Sequence, residues 1–350
     1  MTLSALVART WRENRLFSVL VELTYRCNLD CVFCYNDLSL AGRPLTLAKY
    51  ETLFEELAGM GVLHLTLTGG EPLAHPHFFA LGRKARDLGF AVRVKSNGHA
   101  LALPLATRLK TEVDPFVVEV SLHGATAATH DRQTRVPGSF DRLLANLEAM
   151  KSVGLRVKIN STLTRWNENE IRGMFALADR LGLVLQMDPE VTPKDDGDES
   201  PLALAPTREG LLGLYRLEEE RAGTKTLSGE PCAKEPDVAG VPDTGGKHCG
   251  AGSNNVAIDP YGNVYPCVQW RVSVGNLHDE SLAAIFRSSP RLAALRDLNR
   301  DVKRAVDVHG PDASLMSFCP GVAAGLTGSP LTVHPAALDR LALRREARGL

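Results

Sequence analysis

Residues 27–37 read CNLDCVFCYND, which sets Cys27, Cys31 and Cys34 in a C-x3-C-x2-C array directly after the apolar run SVLVELT (18–24). Three thiols this close together call for a shared partner. A structural zinc site closes its tetrahedron with a fourth Cys or His, and none occurs between Cys34 and His64. A redox or nucleophilic thiol uses one or two cysteines rather than three on one short loop. A [4Fe–4S] cubane takes four thiolates in its electron-transfer form, so three would leave one iron open to a further ligand. That reading uses all three cysteines and explains the missing fourth.

Outward from the loop, residues 18–188 alternate β-branched apolar runs with amphipathic stretches. The expected strands are SVLVELT (18–24), LHLTLT (63–68), AVRVKS (91–96), FVVEVSL (116–122), VKINSTL (157–163) and LVLQMD (183–188). Helical patterns fall at 47–60, 77–89, 139–153 and 169–182, with Leu53, Leu57 and Met60 at helical spacing, as are Leu143, Leu147 and Met150. Six such units predict an α/β fold, a partial (β/α)6 TIM-like barrel with helices outside. Chemistry in such folds gathers at the C-terminal ends of the strands, where Cys27–Cys34, Gly69–Pro72, Ser96–Gly98 and Leu122–Gly124 all fall. Residues 189–206, rich in Pro and acids, read as a solvated loop, a lid being the minor alternative. A helix follows near 207–223, and 228–252 is too rich in Gly and Pro for regular structure. Residues 254–270 read as a β-hairpin turning at Asp259–Asn263, and 280–298 as helix. The expected divisions are an N-terminal segment (1–17), a core domain (18–210), a smaller C-terminal domain (211–335) and a tail (336–350).

ELTYRCNLDCVFCYN resembles the signature of the radical S-adenosylmethionine (SAM) enzymes. The resemblance implies that Cys27, Cys31 and Cys34 hold a [4Fe–4S] cluster whose open iron chelates the amino and carboxylate groups of SAM. Reductive cleavage of SAM would then release a 5′-deoxyadenosyl radical that takes hydrogen from substrate, in a geometry fixed by the chelate. Phe33 stands at the family's aromatic position, beside the adenine. TLTGGEPL (66–73) ends the second strand as the family's SAM-amino-group motif does. There Gly69 and Gly70 allow close backbone approach, Glu71 brings a negative charge suited to an ammonium, and Pro72 stiffens the turn. By the same resemblance Ser96, Asn97 and Ser121 face the SAM ribose or carboxylate, although each also reads as an ordinary strand-end residue. His123 replaces the Asp that many relatives carry and takes no transferred role. The family's SAM-binding Arg corresponds to Arg132 or Arg135. His75 and His77 read as caps of the next helix. Tyr35, Asn97, His123, Gln186 and Asp188 lie near strand ends, and no acid–base role is assigned among them.

Four cysteines come late: Cys232, Cys249, Cys267 and Cys319. Cys249, Gly262 and Cys267 follow C-x12-G-x4-C, which resembles the start of a SPASM or twitch extension. That implies one auxiliary [4Fe–4S] cluster held by the four late thiols, since the dense cysteine tail of full SPASM domains is absent. A structural zinc on the same thiols is the alternative. Seven cysteines, an odd number, argue against a closed disulfide framework.

The 350 residues carry 40 basic and 41 acidic side chains, a net charge of −1, so the global charge indicates neither nucleic acid nor a membrane surface. Lack of a long apolar run or signal peptide predicts a cytoplasmic protein. The leading functional expectation is radical maturation of a ribosomally made peptide or protein, fed by a reducing partner such as flavodoxin or ferredoxin. Radical oxidation or rearrangement of a small molecule (a sugar, antibiotic precursor or tetrapyrrole) is the second, and a non-catalytic zinc or iron–sulfur scaffold the third.

Overall fold

The computed structural model describes residues 2–227 and 243–350. Six parallel strands form where the apolar runs predict them: β1 (Ser18–Glu22), β2 (His64–Thr68), β3 (Ala91–Ser96), β4 (Val117–Ser121), β5 (Val157–Thr162) and β6 (Val184–Asp188). Helix α1 (Leu3–Glu13) precedes them. Between them run α2 (Leu47–Gly59), α3 (Phe78–Asp87), α4 (Leu103–Glu112), α5 (Ala127–Thr134), α6 (Ser139–Ser152) and α7 (Ile171–Leu181), with α8 (Arg208–Leu227) after β6. Sequence periodicity had not indicated α1, α4 or α5. α1 and α5 gain local support from N-cap threonines, Thr2 and Thr126, and α4 from a proline in its first turn.

Alternation within the strands decides where the core lies. Val19, Val21, Leu65, Leu67, Val92, Val94, Val118, Val120, Ile159, Leu185 and Met187 are all buried, packed toward the helices. The other face carries Arg93, Lys95, Glu119, Ser121, Lys158, Asn160, Gln186 and Asp188, which line a cavity. A closed barrel would fill that face with branched aliphatics. This partial barrel keeps it polar and open.

The predicted hairpin forms as β7 (Asn255–Ile258) and β8 (Asn263–Tyr265), followed by β9 (Gly275–Asn276). Its attachment was not legible in the sequence. β7 pairs parallel with β1, Ser18 against Asn255, so the sheet runs β6-β5-β4-β3-β2-β1-β7-β8-β9 without interruption. The helix expected at 280–298 breaks at Ser289, whose hydroxyl caps the second half, giving α9 (Leu282–Ser288) and α10 (Pro290–Asp307). α11 (Pro320–Thr327) and α12 (Pro335–Arg348) complete the chain. The segment expected as a tail is thus a helix, with Ala337, Arg340, Leu341 and Leu343 buried, and it packs on α8. No helix among the described residues is long and apolar enough to cross a membrane.

Candidate functional site

The three-cysteine loop leaves the end of β1 and is pinned from two sides. The Asp30 and Val32 N–H groups donate to the carbonyls of Thr134 and Gln133 at 3.1 and 3.0 Å. On the other side, Gly70 and Glu71 donate to the Thr24 and Arg26 carbonyls at 2.7 and 2.8 Å. Here the glycines have a mechanical purpose. A Cβ on Gly69, whose φ is +133°, would stand 2.2 Å from the Thr24 carbonyl oxygen, and one on Gly70 2.5 Å from that of Arg26. Only glycine lets the two loops touch.

The Glu71 carboxylate is almost fully buried and is engaged by the chain itself. It accepts from Ser96 Oγ at 3.0 Å, the Asn97 N–H at 2.9 Å and the Leu73 N–H at 3.1 Å. Burial raises its pKa and these bonds oppose the rise. The physical reason is position: Glu71 caps a short 3-10 turn that Pro72 begins, which points its side chain at the end of β3. The result is a knot joining the ends of β2 and β3. Asn97 extends it to the cysteines, donating to Asn28 Oδ1 at 2.8 Å and to Cys27 Sγ at 3.7 Å.

A cavity of about 490 Å³ opens beside the loop. Cys27, Cys31, Phe33, Cys34, Gly69, Gly70, Ser96, Asn97 and Ser121 share its wall, so nine positions expected from sequence converge there, with Glu71 and Pro72 next in sequence to Gly70. Tyr35, His123, Gln186 and Asp188 border it as well. Phe33 meets His123 edge-on, ring centroids 4.6 Å apart. His123 is buried, and loss of solvent pushes its pKa down to about 3, so it is neutral. Its Nδ1 accepts the Thr162 N–H at 3.4 Å, which places the ring proton on Nε2. Of the two candidate arginines, neither borders this cavity: Arg132 stacks on Trp166, 3.8 Å from the ring centroid, and Arg135 pairs with Asp30 at 3.0 Å. His77 stands at the start of α3 without a side-chain cap; His75 Nδ1 instead accepts the His77 N–H at 3.3 Å.

The loop's chemistry can be tested against the groups it resembles. Cys27, Cys31 and Cys34 all have raised pKa values, chiefly because the surrounding protein partly desolvates them, and Cys31 also because Cys34 and Cys27 lie beside it. An activated nucleophile needs the opposite environment. Three neighbouring thiols become stable thiolates when a metal centre supplies positive charge. Three thiols on one loop, with no fourth Cys or His beside them in the sequence, fit a cluster that keeps one iron open better than a zinc that takes four donors.

Cys249, Cys267 and Cys319 gather from three separate elements: the segment before β7, the end of the hairpin and the cap of α11. Cys249 and Cys267 pack against the hydrophobic core. Burial and mutual repulsion push Cys267 up to about 11 and Cys319 up to about 12. Asn299 clamps Cys249, accepting its N–H at 3.0 Å and donating to Sγ at 3.4 Å. Cys232, the fourth expected ligand, lies outside the described residues. The hairpin turn at Gly262, φ +83°, forms as its spacing implied.

A buried ion pair ties the two cysteine regions together. Arg271, four residues beyond Cys267, holds the fully buried Glu22 with two bonds of 2.7 and 2.8 Å and reaches Asp195 at 3.0 Å. Tyr25 Oη also donates to Glu22, at 3.1 Å. Asp195 belongs to the stretch expected to be a solvated loop. In fact Val191 and Pro201 are buried there, Asp195 donates its N–H to the Tyr35 carbonyl at 2.8 Å, and Glu190 pairs with Arg340 of α12 at 2.8 Å. Two of its acidic residues, Glu190 and Asp195, find buried cations, which composition alone does not reveal. Lys194, Asp196 and Ser200 border a second cavity of about 260 Å³ together with Cys31 and Cys34.

Comparison with known proteins agrees with this geometry. Residues 21–178 match the radical SAM superfamily, and residues 249–310 match the SPASM family, described as an iron–sulfur cluster-binding domain. The AdoMet-dependent heme synthase of Methanosarcina barkeri is 30% identical over 292 residues, covering 79% of this chain and 83% of that protein. Mycofactocin maturase MftC of Mycobacterium ulcerans is 32% identical over 291 residues, covering 79% and 76%. Among solved structures, native anSMEcpe with bound AdoMet superposes with a TM-score of 0.72 at 17% identity, covering 95% of this chain and 97% of that one.

Proposed function

The chain belongs to the radical SAM superfamily and carries a SPASM domain, and from that premise we propose that it matures a ribosomally synthesised peptide or protein by radical chemistry. The observation that carries the reading is the shared wall: the three-cysteine loop, the glycine turn and the ends of β3 and β4 all border one open cavity. When bound there, a [4Fe–4S] cluster and SAM supply one-electron chemistry that releases a 5′-deoxyadenosyl radical able to take hydrogen from a substrate.

The chain's own residues then divide the work. Cys27, Cys31 and Cys34 hold the cluster and leave one iron free for SAM. Asn97 steadies Cys27, and Glu71 steadies Asn97. The backbone at Gly69–Pro72 receives the amino group, while Phe33, Ser96 and Ser121 border the rest of the cofactor. Cys232, Cys249, Cys267 and Cys319 close a single auxiliary [4Fe–4S] cluster, which has no open iron and so shapes the substrate pocket or relays an electron. We divide the chain near residue 210, between the two matched ranges, into a core and an auxiliary-cluster domain. A flavodoxin or ferredoxin would deliver the electron.

A maturase among the relatives favours a peptide or protein substrate; a heme synthase at similar identity favours a small molecule, the second reading. Anaerobic reconstitution tests the common premise. The expected result is about eight irons per chain and 5′-deoxyadenosine formed from SAM with dithionite; a protein that binds zinc instead and forms none would overturn it. Comparing turnover of candidate precursor peptides and tetrapyrroles then separates the two readings.

A further inference from the structure

Below the mouth of the barrel, the strands put three cations and two carboxylates on the cavity wall, whose third carboxylate, Asp30 on the cysteine loop, is paired with Arg135 at 3.0 Å. Arg93 and Lys95 come from β3 and Lys158 from β5; Glu119 on β4 and Asp188 at the end of β6 are the anions facing them. Glu119 is 6% exposed and well occupied: Arg93 lies 3.2 Å away, Lys95 3.7 Å, and Asn160 Nδ2 donates at 2.8 Å. Asp188 accepts the Glu190 N–H at 3.0 Å. Arg340, which also acts on Asp188, is itself paired with Glu190. Lys158 Nζ donates to the uncharged amide oxygen of Gln186. Three strand-borne cations therefore face two strand-borne carboxylates, and Lys158 donates to an amide oxygen rather than to an acid.

The arrangement is a row rather than a scatter. Strand register sets Lys95 opposite Glu119 and Glu119 opposite Lys158. With strands about 4.8 Å apart, the two lysines straddle the carboxylate roughly 10 Å from one another. Ser121, two residues further along β4, lies about 7 Å nearer the mouth on the same face. None of these charges is needed by the core, which the alternate positions Val94, Val118, Val120 and Ile159 supply. Half-exposed cations on the inner face of a barrel, where aliphatics would pack, point to a ligand.

Resting on the radical-enzyme reading of this cavity, we propose that the substrate carries a carboxylate that docks on Lys158, with Lys95 and Arg93 completing a cationic floor. The group's source is an acidic peptide side chain or the propionate of a tetrapyrrole, and the test distinguishes them. Reconstituted protein with SAM bound would be titrated calorimetrically with an end-blocked glutamate pentapeptide and its glutamine twin, and with a porphyrin tetrapropionate and its tetra-amide. At least one acid is expected to bind tenfold or more tightly than its neutral twin. Lys158→Gln should remove that preference by weakening only the acid, and Lys158→Arg should retain it. The pair that responds names the source. Acids that bind no better than their twins, or a Lys158→Gln protein that weakens both alike, would overturn the proposal. Wild-type 5′-deoxyadenosine formation, measured without probe in the same preparation, keeps the two ideas apart: its absence defeats the radical reading, whereas its presence with no preference for acids defeats only the carboxylate site.

Discussion

The two cysteine regions solve the same problem in opposite ways. Cys27, Cys31 and Cys34 lie within eight residues on one loop and border a cavity of about 490 Å³. Cys249, Cys267 and Cys319 span some seventy residues of sequence, arrive on a hairpin and a helix cap, and in part pack into the core. A local array leaves room for a ligand on its open side. A convergent array is walled by the elements that deliver it, which suits a centre that is closed. The Arg271–Glu22 pair joins the two regions through one buried contact.

The largest expected effect breaks the open region alone. Cys31→Ala should abolish 5′-deoxyadenosine formation while leaving the late cysteines able to bind iron, as read by product chromatography and iron content. Next, Cys267→Ser should cost about four of the eight irons yet preserve SAM cleavage; equal loss of both would show that the regions are not separable. Arg271→Met tests their connection. It strands the buried Glu22 carboxylate, for which a loss of about 3–5 kcal/mol is expected, measured by urea unfolding of the reconstituted protein. An unchanged midpoint would argue that the pair couples nothing.

The smallest expected effect concerns pH. Burial holds His123 near a pKa of about 3 and His130 near about 4, against an ordinary 6.5. Each binds its proton more readily once unfolded, so their contribution is full above about pH 6.5 and is lost as pH falls toward those values. His123 alone should cost about 2 kcal/mol between pH 7 and pH 5. His123→Asn should flatten that limb, and a wild-type stability that does not fall over this range would contradict the buried, neutral assignment.

Much of this was legible beforehand because the signals are local. Strand β3 begins and ends where AVRVKS does, and β5 stops one residue short of the predicted run, since period-two alternation of branched residues marks a strand wherever it pairs. The inner-face charges Arg93, Lys95, Glu119 and Lys158 were also in plain view as the polar half of that alternation, but their meaning depended on whether the barrel closed. The bonds that Glu71 accepts from the end of β3 were not legible, because its partners Ser96 and Asn97 lie some 25 residues away in sequence. α12 escaped notice because its anchors, Arg340 on Glu190 and its packing on α8, lie far away in sequence.

By itself the sequence determined the parallel α/β repeat, the three-thiol loop and the glycine turn after β2, because each depends on residues within one or two turns of chain. Only the tertiary structure decided that the hairpin continues the sheet beside β1, that Arg271 buries its charge against Glu22, and that the barrel's inner wall is an open, cationic cavity. Those features arise from contacts between distant segments, where register and desolvation choose among partners that composition leaves equivalent.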